Sequence, residues 1–178
     1  MVSFYKILEL NMKKLLPIIV IVLMLAIITI IFISMAKEDQ PITIVKGNME
    51  MKALPIKLNH TNDTQCAMLI KTDHNTAQLA APDGRTWFFD DPGCMVLWIE
   101  SKTFRKEAKL WVHTIDTEQW IDARKARFGI TDRSEMGYGF GARGRDFNNT
   151  IDYEEMRLRM LRGENLTDPK IRKKLLGI

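Results

Sequence analysis

Nineteen consecutive residues without a charge, Leu15 to Ile33 (LLPIIVIVLMLAIITIIFI), constrain this chain more than any other feature in it. Thr29 is the only polar side chain in the run. A helix of about 20 apolar residues matches the hydrocarbon thickness of a bilayer and satisfies its own backbone there. Pro17 falls in the first turn of such a helix, where a missing N–H costs little. Lys6, Lys13 and Lys14 precede the run, and Lys37, Glu38 and Asp39 follow it. That bias predicts a cytoplasmic N-terminus and an exported remainder. The run is longer than the apolar core of about 7–15 residues in a signal sequence. An uncleaved anchor is therefore the expectation, and cleavage after Ser34-Met35-Ala36 is the alternative. The chain divides into a short cytoplasmic segment at 1–14, a transmembrane anchor at 15–35, a stalk at 36–59, a folded domain at 60–150 and a C-terminal helical tail at 151–178.

Export decides how composition is read. The formal charge of +4 comes partly from the N-terminus and partly from KIRKK at 170–174. An exported domain rarely meets nucleic acid, so the basic tail reads as a solvated helix end. A compartment outside the cytosol permits disulfides.

Periodicity past the stalk alternates between two and 3.6. Residues 65–71 are expected as a strand. His74 to Ala81 and Arg85 to Phe89 flank Pro82-Asp83-Gly84, a turn signal that makes them a hairpin. In DDPGCMVLWIESKTF, Asp90 or Asp91 suits a cap and Pro92 the first helical position, with apolar residues recurring at Met95, Trp98 and Ile99. Residues 109–116 alternate as a strand, and 119–128 read as a further strand or extended edge. Four glycines between 136 and 146 predict a loop or irregular strand. Residues 152–163 carry acids early, arginines late and Gly163 at the end, which marks a helix, and a short helix follows at 168–176. The fold class is α+β: small antiparallel sheets with packed helices, preceded by the transmembrane helix.

The only two cysteines, Cys66 and Cys94, each have a methionine beside or one residue beyond them, Met68 and Met95. They are either a structural disulfide or soft ligands, and the residues alone leave both open. Thiolate and thioether together select Cu(I) over hard cations. On a strand, Cys66 and Met68 would share one face. His60, His74 and His113 form no HExxH or HxxxH pattern, so zincin-type chemistry has no support. His60 and His74 flank Cys66 in sequence and can neighbour a site, while His113 reads as a packed strand residue. Asp90 and Asp91 read as capping before catalysis. A thiol enzyme built on Cys94 at a helix start lacks a marked third member. Trp87, Trp98, Trp111 and Trp120 read as core.

Taken together, Cys66-Ala67-Met68, AAPDGRTWFFDDPGCMVLW at 80–98, WIDARKARF at 120–128 and MGYG at 136–139 resemble the NosL-type copper-binding accessory proteins, over about half the chain. The resemblance implies a ββαβ-like, membrane-attached, exported domain that binds Cu(I). Such a domain supplies copper for maturation of nitrous oxide reductase, beside a membrane maturation complex. It makes Met136 the first ligand candidate, then Cys66 and Met68; Cys94, Met95, His74 and His60 are weaker candidates on their own residue chemistry. Asp91 and Tyr138 are expected to shape the surroundings of those ligands. The family's lipid-anchoring cysteine after the signal sequence is missing here, and Met49, Met51 or His60 are its possible replacements. The expected function is metal binding and transfer, not enzymatic catalysis. The competing reading is a module stapled by Cys66–Cys94 with no metal.

Overall fold

The apolar run lies in helix α1, Val2–Glu38, of the computed structural model, which describes residues 2–38 and 41–177. Its segment Leu15–Met35, 21 residues, is long and apolar enough to cross a membrane, and none of it is buried. At 1.5 Å per residue it extends about 32 Å, close to the thickness of a bilayer core. Because α1 begins at Val2, Pro17 sits inside the helix and not in its first turn. Proline is tolerated inside membrane helices, where neighbouring groups re-satisfy the freed carbonyl.

A second compact unit begins at Pro41. Its main sheet has the order β1-β3-β2-β4-β5 and is antiparallel throughout, from β1 (Ile44–Val45), β2 (Ala77–Ala80), β3 (Thr86–Phe89), β4 (Lys109–His113) and β5 (Trp120–Asp122). Helix α2 (Pro92–Ile99) lies between β3 and β4, completing a ββαβ order. The β2–β3 hairpin closes as expected at Pro82-Asp83-Gly84. Gly84 donates to the Ala81 carbonyl at 3.0 Å and takes φ +80°, a left-handed value that glycine adopts without a Cβ clash. A second, two-stranded sheet pairs β6 (Arg127–Gly129) with β7 (Gly141–Arg143). The segment 119–128 is thus split between two sheets by a single 3-10 turn, Ala123–Lys125, that Asp122 caps. Helices α3 (Tyr153–Arg162) and α4 (Pro169–Leu176) have Asp152 and Asp168 as N-caps, with Gly163 and Gly177 left-handed at their ends.

Strand pairing places side chains on two faces. Ala77, Leu79, Trp87, Phe89, Leu110 and Val112 join one core with Cys94, Met95 and Ile99 of α2 and Met156 and Met160 of α3. The cross-strand set Gln78, Phe88 and Trp111 occupies the other face. That face is covered by the segment expected to be a stalk. Gln78, fully buried, accepts from Leu54 N at 2.8 Å and donates to Leu54 O at 2.9 Å, and Trp111 Nε1 donates to Met51 O at 3.0 Å. The described residues of that stretch, 41–59, therefore belong to the folded unit. A buried glutamine amide needs backbone partners, and this segment supplies them.

The expected strand over 65–71 is absent. Asp63 Oδ1 accepts from Gln65 N at 2.5 Å and from Cys66 N at 2.9 Å, Ala67 N donates to Asp63 O at 3.0 Å, and Ala67 has φ +62°. An aspartate that binds the following backbone N–H groups competes with a strand ladder and wraps the chain into a turn. Cys66 and Met68 consequently do not share a strand face.

Candidate metal centre

Two loops meet at the C-terminal end of β3. The turn at 63–66 is fastened there by Thr64 N to Phe88 O at 2.9 Å and by Asp90 N to Asp63 Oδ2 at 2.8 Å. Beyond β3 the chain passes through Asp90 into α2, whose N-cap is Asp91, its Oδ1 accepting from Gly93 N at 2.7 Å. Pro92 takes the first helical position, so the first turn points Cys94 back toward Asp63 and Cys66. As a result, ligand atoms of Asp63, Cys66, Asp90 and Cys94 all lie within 4.8 Å of one another.

The cluster is nearly dry. Asp63, Asp90 and Cys94 are 1%, 3% and 0% exposed, and Cys66 is half-buried. Burial first, then hydrogen bonding to Asp63 and repulsion by its charge, pushes Asp90 well above the ordinary carboxylate range. Burial likewise raises the Cys66 thiol to about 11, although the Met68 N–H facing its sulfur works against that. Cys94 is raised further still, by burial and then by Asp63, Asp91 and Asp90. Asp91, fully buried, rises to about 6, with the Ser134 hydroxyl and the N–H groups of Gly93 and Met136 opposing the shift. Burial first, then the neighbouring Cys94 and Asp91, raises Tyr138 as well.

The charges that act on these groups are one another's. Such a cluster is cheapest when protonated, or when a cation takes the place of the protons. Asp90 Oδ1 and Asp91 Oδ2 are buried with no hydrogen-bond partner, and a lone-pair oxygen in that state costs about 1–3 kcal/mol. Cys66 Sγ donates only a long hydrogen bond, 3.7 Å, to Asp90 Oδ2. Two sulfurs each about 2.3 Å from one ion are at most about 4.6 Å apart, so the present spacing needs little adjustment to hold a metal. Both cysteines are free thiols.

The expected site residues are distributed unevenly around this centre. Cys66 and Cys94 are in it. Asp91 and Tyr138 stand beside it, and the Tyr138 ring covers Gly93 so closely that a Cβ there would lie 2.6 Å from Cδ2. Met136 is half-buried against the core, on the loop whose backbone faces Asp91. Met68 is 43% exposed and shares with Asp90 a cavity of about 220 Å³, also lined by Lys71, Thr72 and Glu135. Met95 is 0% exposed within the hydrophobic core, outside the cluster, because it follows Cys94 by one helical position and so faces about 100° away. His60 and His74 are exposed and outside the cluster, and Met49 is exposed beside Gly84.

Asp63 is not among the residues expected from the sequence, and Asp90 is expected there as a cap or as half of an acid pair. The cap is Asp91, which frees Asp90 to face the thiols. The available signal was Asp63 three residues before Cys66, a spacing at which an aspartate turn presents the cysteine N–H to its own carboxylate. Compared with family models and with curated proteins, the chain matches none.

Proposed function

We propose that this protein is a membrane-tethered, extracytoplasmic Cu(I)-binding protein that passes its ion to a metalloenzyme under assembly. The convergence of Asp63, Cys66, Asp90 and Cys94 within 4.8 Å carries the reading. The NosL-type resemblance supports the choice of Cu(I) and makes nitrous oxide reductase the expected recipient. Two thiolates favour a soft cation, and the described histidines lie outside the cluster. In this reading Cys66 and Cys94 hold the ion and Met136 is a third ligand on its glycine-flanked loop, the thiol protons passing to solvent.

Copper is cargo here, so the site must open as well as bind. Cys94 is buried and fixed by α2, whereas Cys66 sits on a turn and is half-buried. Met68 and Asp90 line the adjoining cavity and Cys66 is the more exposed of the two thiols, so a donor's ligand reaches Met68 and Cys66 first. Entry of a partner's sulfur at Cys66 before Cys94 lets go transfers the ion without its becoming free. Helix α1 would tether the domain to the membrane that holds a maturation complex.

The test is anaerobic Cu(I) titration of the full-length protein in detergent micelles against a competing chelator. One tight equivalent is expected, weakened on the order of a hundredfold by Cys66→Ser or Cys94→Ser and less by Met136→Ala. A reduced wild type that binds no copper, together with a Cys66–Cys94 bridge in the protein as isolated, overturns the proposal in favour of a disulfide-stapled module.

A further inference from the structure

The last helix carries four cations and no acid. Lys170, Arg172, Lys173 and Lys174 fall within α4, Pro169–Leu176, and all of them are exposed. Among the described residues none of them forms an ion pair. The acids nearby are already engaged. Glu155 pairs with Arg159 at 2.7 Å and Glu164 with Arg162 at 2.8 Å. Asp168 Oδ1 caps the helix, accepting from Lys170 N at 2.7 Å and from Ile171 N at 3.2 Å.

The fold holds this charge on an outward face. Ile171 and Leu175, four positions apart and so on one side of the helix, are half-buried and line a cavity of about 510 Å³ with Ile130 and Arg159. Gly177, left-handed at φ +70°, closes the C-terminal end with its N–H on Lys173 O at 3.0 Å. On the side away from Ile171 and Leu175, the large apolar side chain is Leu176, 42% exposed. It follows Lys173 by three positions and Arg172 by four, so the leucine stands between two cations. An aliphatic group flanked by long basic side chains suits a helix lying in a bilayer interface. There the apolar group enters the headgroup layer while the ammonium and guanidinium groups reach phosphates.

We infer that α4 is a second membrane attachment, lying on a surface of anionic lipid. The occupant follows from the chain itself. The apolar span ends at Met35 and the folded unit begins at Pro41. At full extension the residues from 36 to 41 reach about 20 Å, so a bilayer crossed by α1 is never far from the start of that unit. The phosphodiester headgroups of anionic lipids complement unpaired cations, and the attraction acts over about 10 Å at 0.1 M salt. The inference rests on α1 as a membrane span and is independent of the copper reading. Two attachments set the orientation of the folded unit against the bilayer, which a single tether leaves free.

Hydrogen exchange of the full-length protein in lipid nanodiscs tests it, comparing discs of phosphatidylcholine alone with discs that also contain phosphatidylglycerol. Exchange of the α4 amides is expected to slow at least about fivefold in the anionic discs. Raising NaCl to about 0.5 M should abolish that slowing. A variant combining Lys170→Gln, Arg172→Gln, Lys173→Gln and Lys174→Gln should exchange alike in both discs. Glutamine has nearly the helix propensity of lysine and arginine, so α4 itself is kept. Equal exchange of wild type in the two kinds of disc, or slowing that survives in the fourfold variant, overturns the inference. Failure of the chain to enter the discs overturns the membrane reading of α1 and this inference with it. Copper plays no part in any of these readouts, so the copper proposal stands or falls separately.

Discussion

At its C-terminal end, α2 turns Trp98 onto Trp87, Phe89 and Phe104, with ring centroids 4.9, 5.8 and 6.3 Å away. Lys102 lies over the same indole at 4.4 Å. At its N-terminal end, two turns away, the same helix begins beneath Asp90 and Asp91, each with one buried oxygen lacking a partner, and presents Cys94 to three acidic neighbours. Aromatic burial stabilises the first end, each pair adding about 0.5–1.5 kcal/mol beyond its area. The second end costs stability in the metal-free protein. The two lie on one eight-residue helix, so the aromatic end holds the strained end in place. Stability and ligand chemistry are thus supplied by different residues of a single element.

Breaking the aromatic end gives the largest effect. Phe89→Ala removes a ring that is 0% exposed and should cost about 3–5 kcal/mol, read by urea unfolding of the full-length protein. If the loss is under 1 kcal/mol, that end does not carry the helix and the contrast fails.

The acidic end is sharpened by pH. Burial raises Asp91 from 3.8 to about 6, so between about pH 4 and pH 6 the folded chain keeps a proton that the unfolded chain has lost. Stability of the metal-free protein therefore falls as pH rises through that window, by about 3 kcal/mol for two pKa units. Asp90 is shifted in the same direction. Asp91→Asn keeps an equally good cap and removes the titration. Denaturation at pH 4 and pH 7 should show the variant gaining on wild type as pH rises, and parallel profiles would show that Asp91 is ionised without penalty.

Met68→Ala should change least. The side chain is 43% exposed, so stability should move by no more than about 0.5 kcal/mol. Stopped-flow transfer of Cu(I) to an acceptor chelator should slow, because a thioether lining the cavity beside Asp90 is gone. Unchanged transfer rates would place the route of exchange elsewhere.

Local chemistry made much of the architecture readable. Pro82-Asp83-Gly84 gave the hairpin, Asp91-Pro92 the start of α2, and Asp152 and Gly163 the two ends of α3, because caps and turns are set by residues adjacent in sequence. The strand expected over 65–71 failed for a reason that is also local, since Asp63 captures the backbone that a strand would need. The covering role of 41–59 was not readable, because it depends on Gln78 and Trp111 facing Leu54 and Met51 across tens of residues.

The candidate site divides in the same way. Sequence put Met136, Cys66 and Met68 first, Cys94 and Met95 behind them and Asp91 and Tyr138 around them, and did not name Asp63. What the sequence determined by itself was the apolar span, the α+β element order and the presence of just two thiols, since hydrophobicity, capping and composition belong to single residues and short windows. Only the tertiary structure decided that Asp63 and Asp90 face those thiols and that Met95 faces the core. Those pairings depend on strand register and on where a turn is fastened, and both are settled by burial over the whole unit.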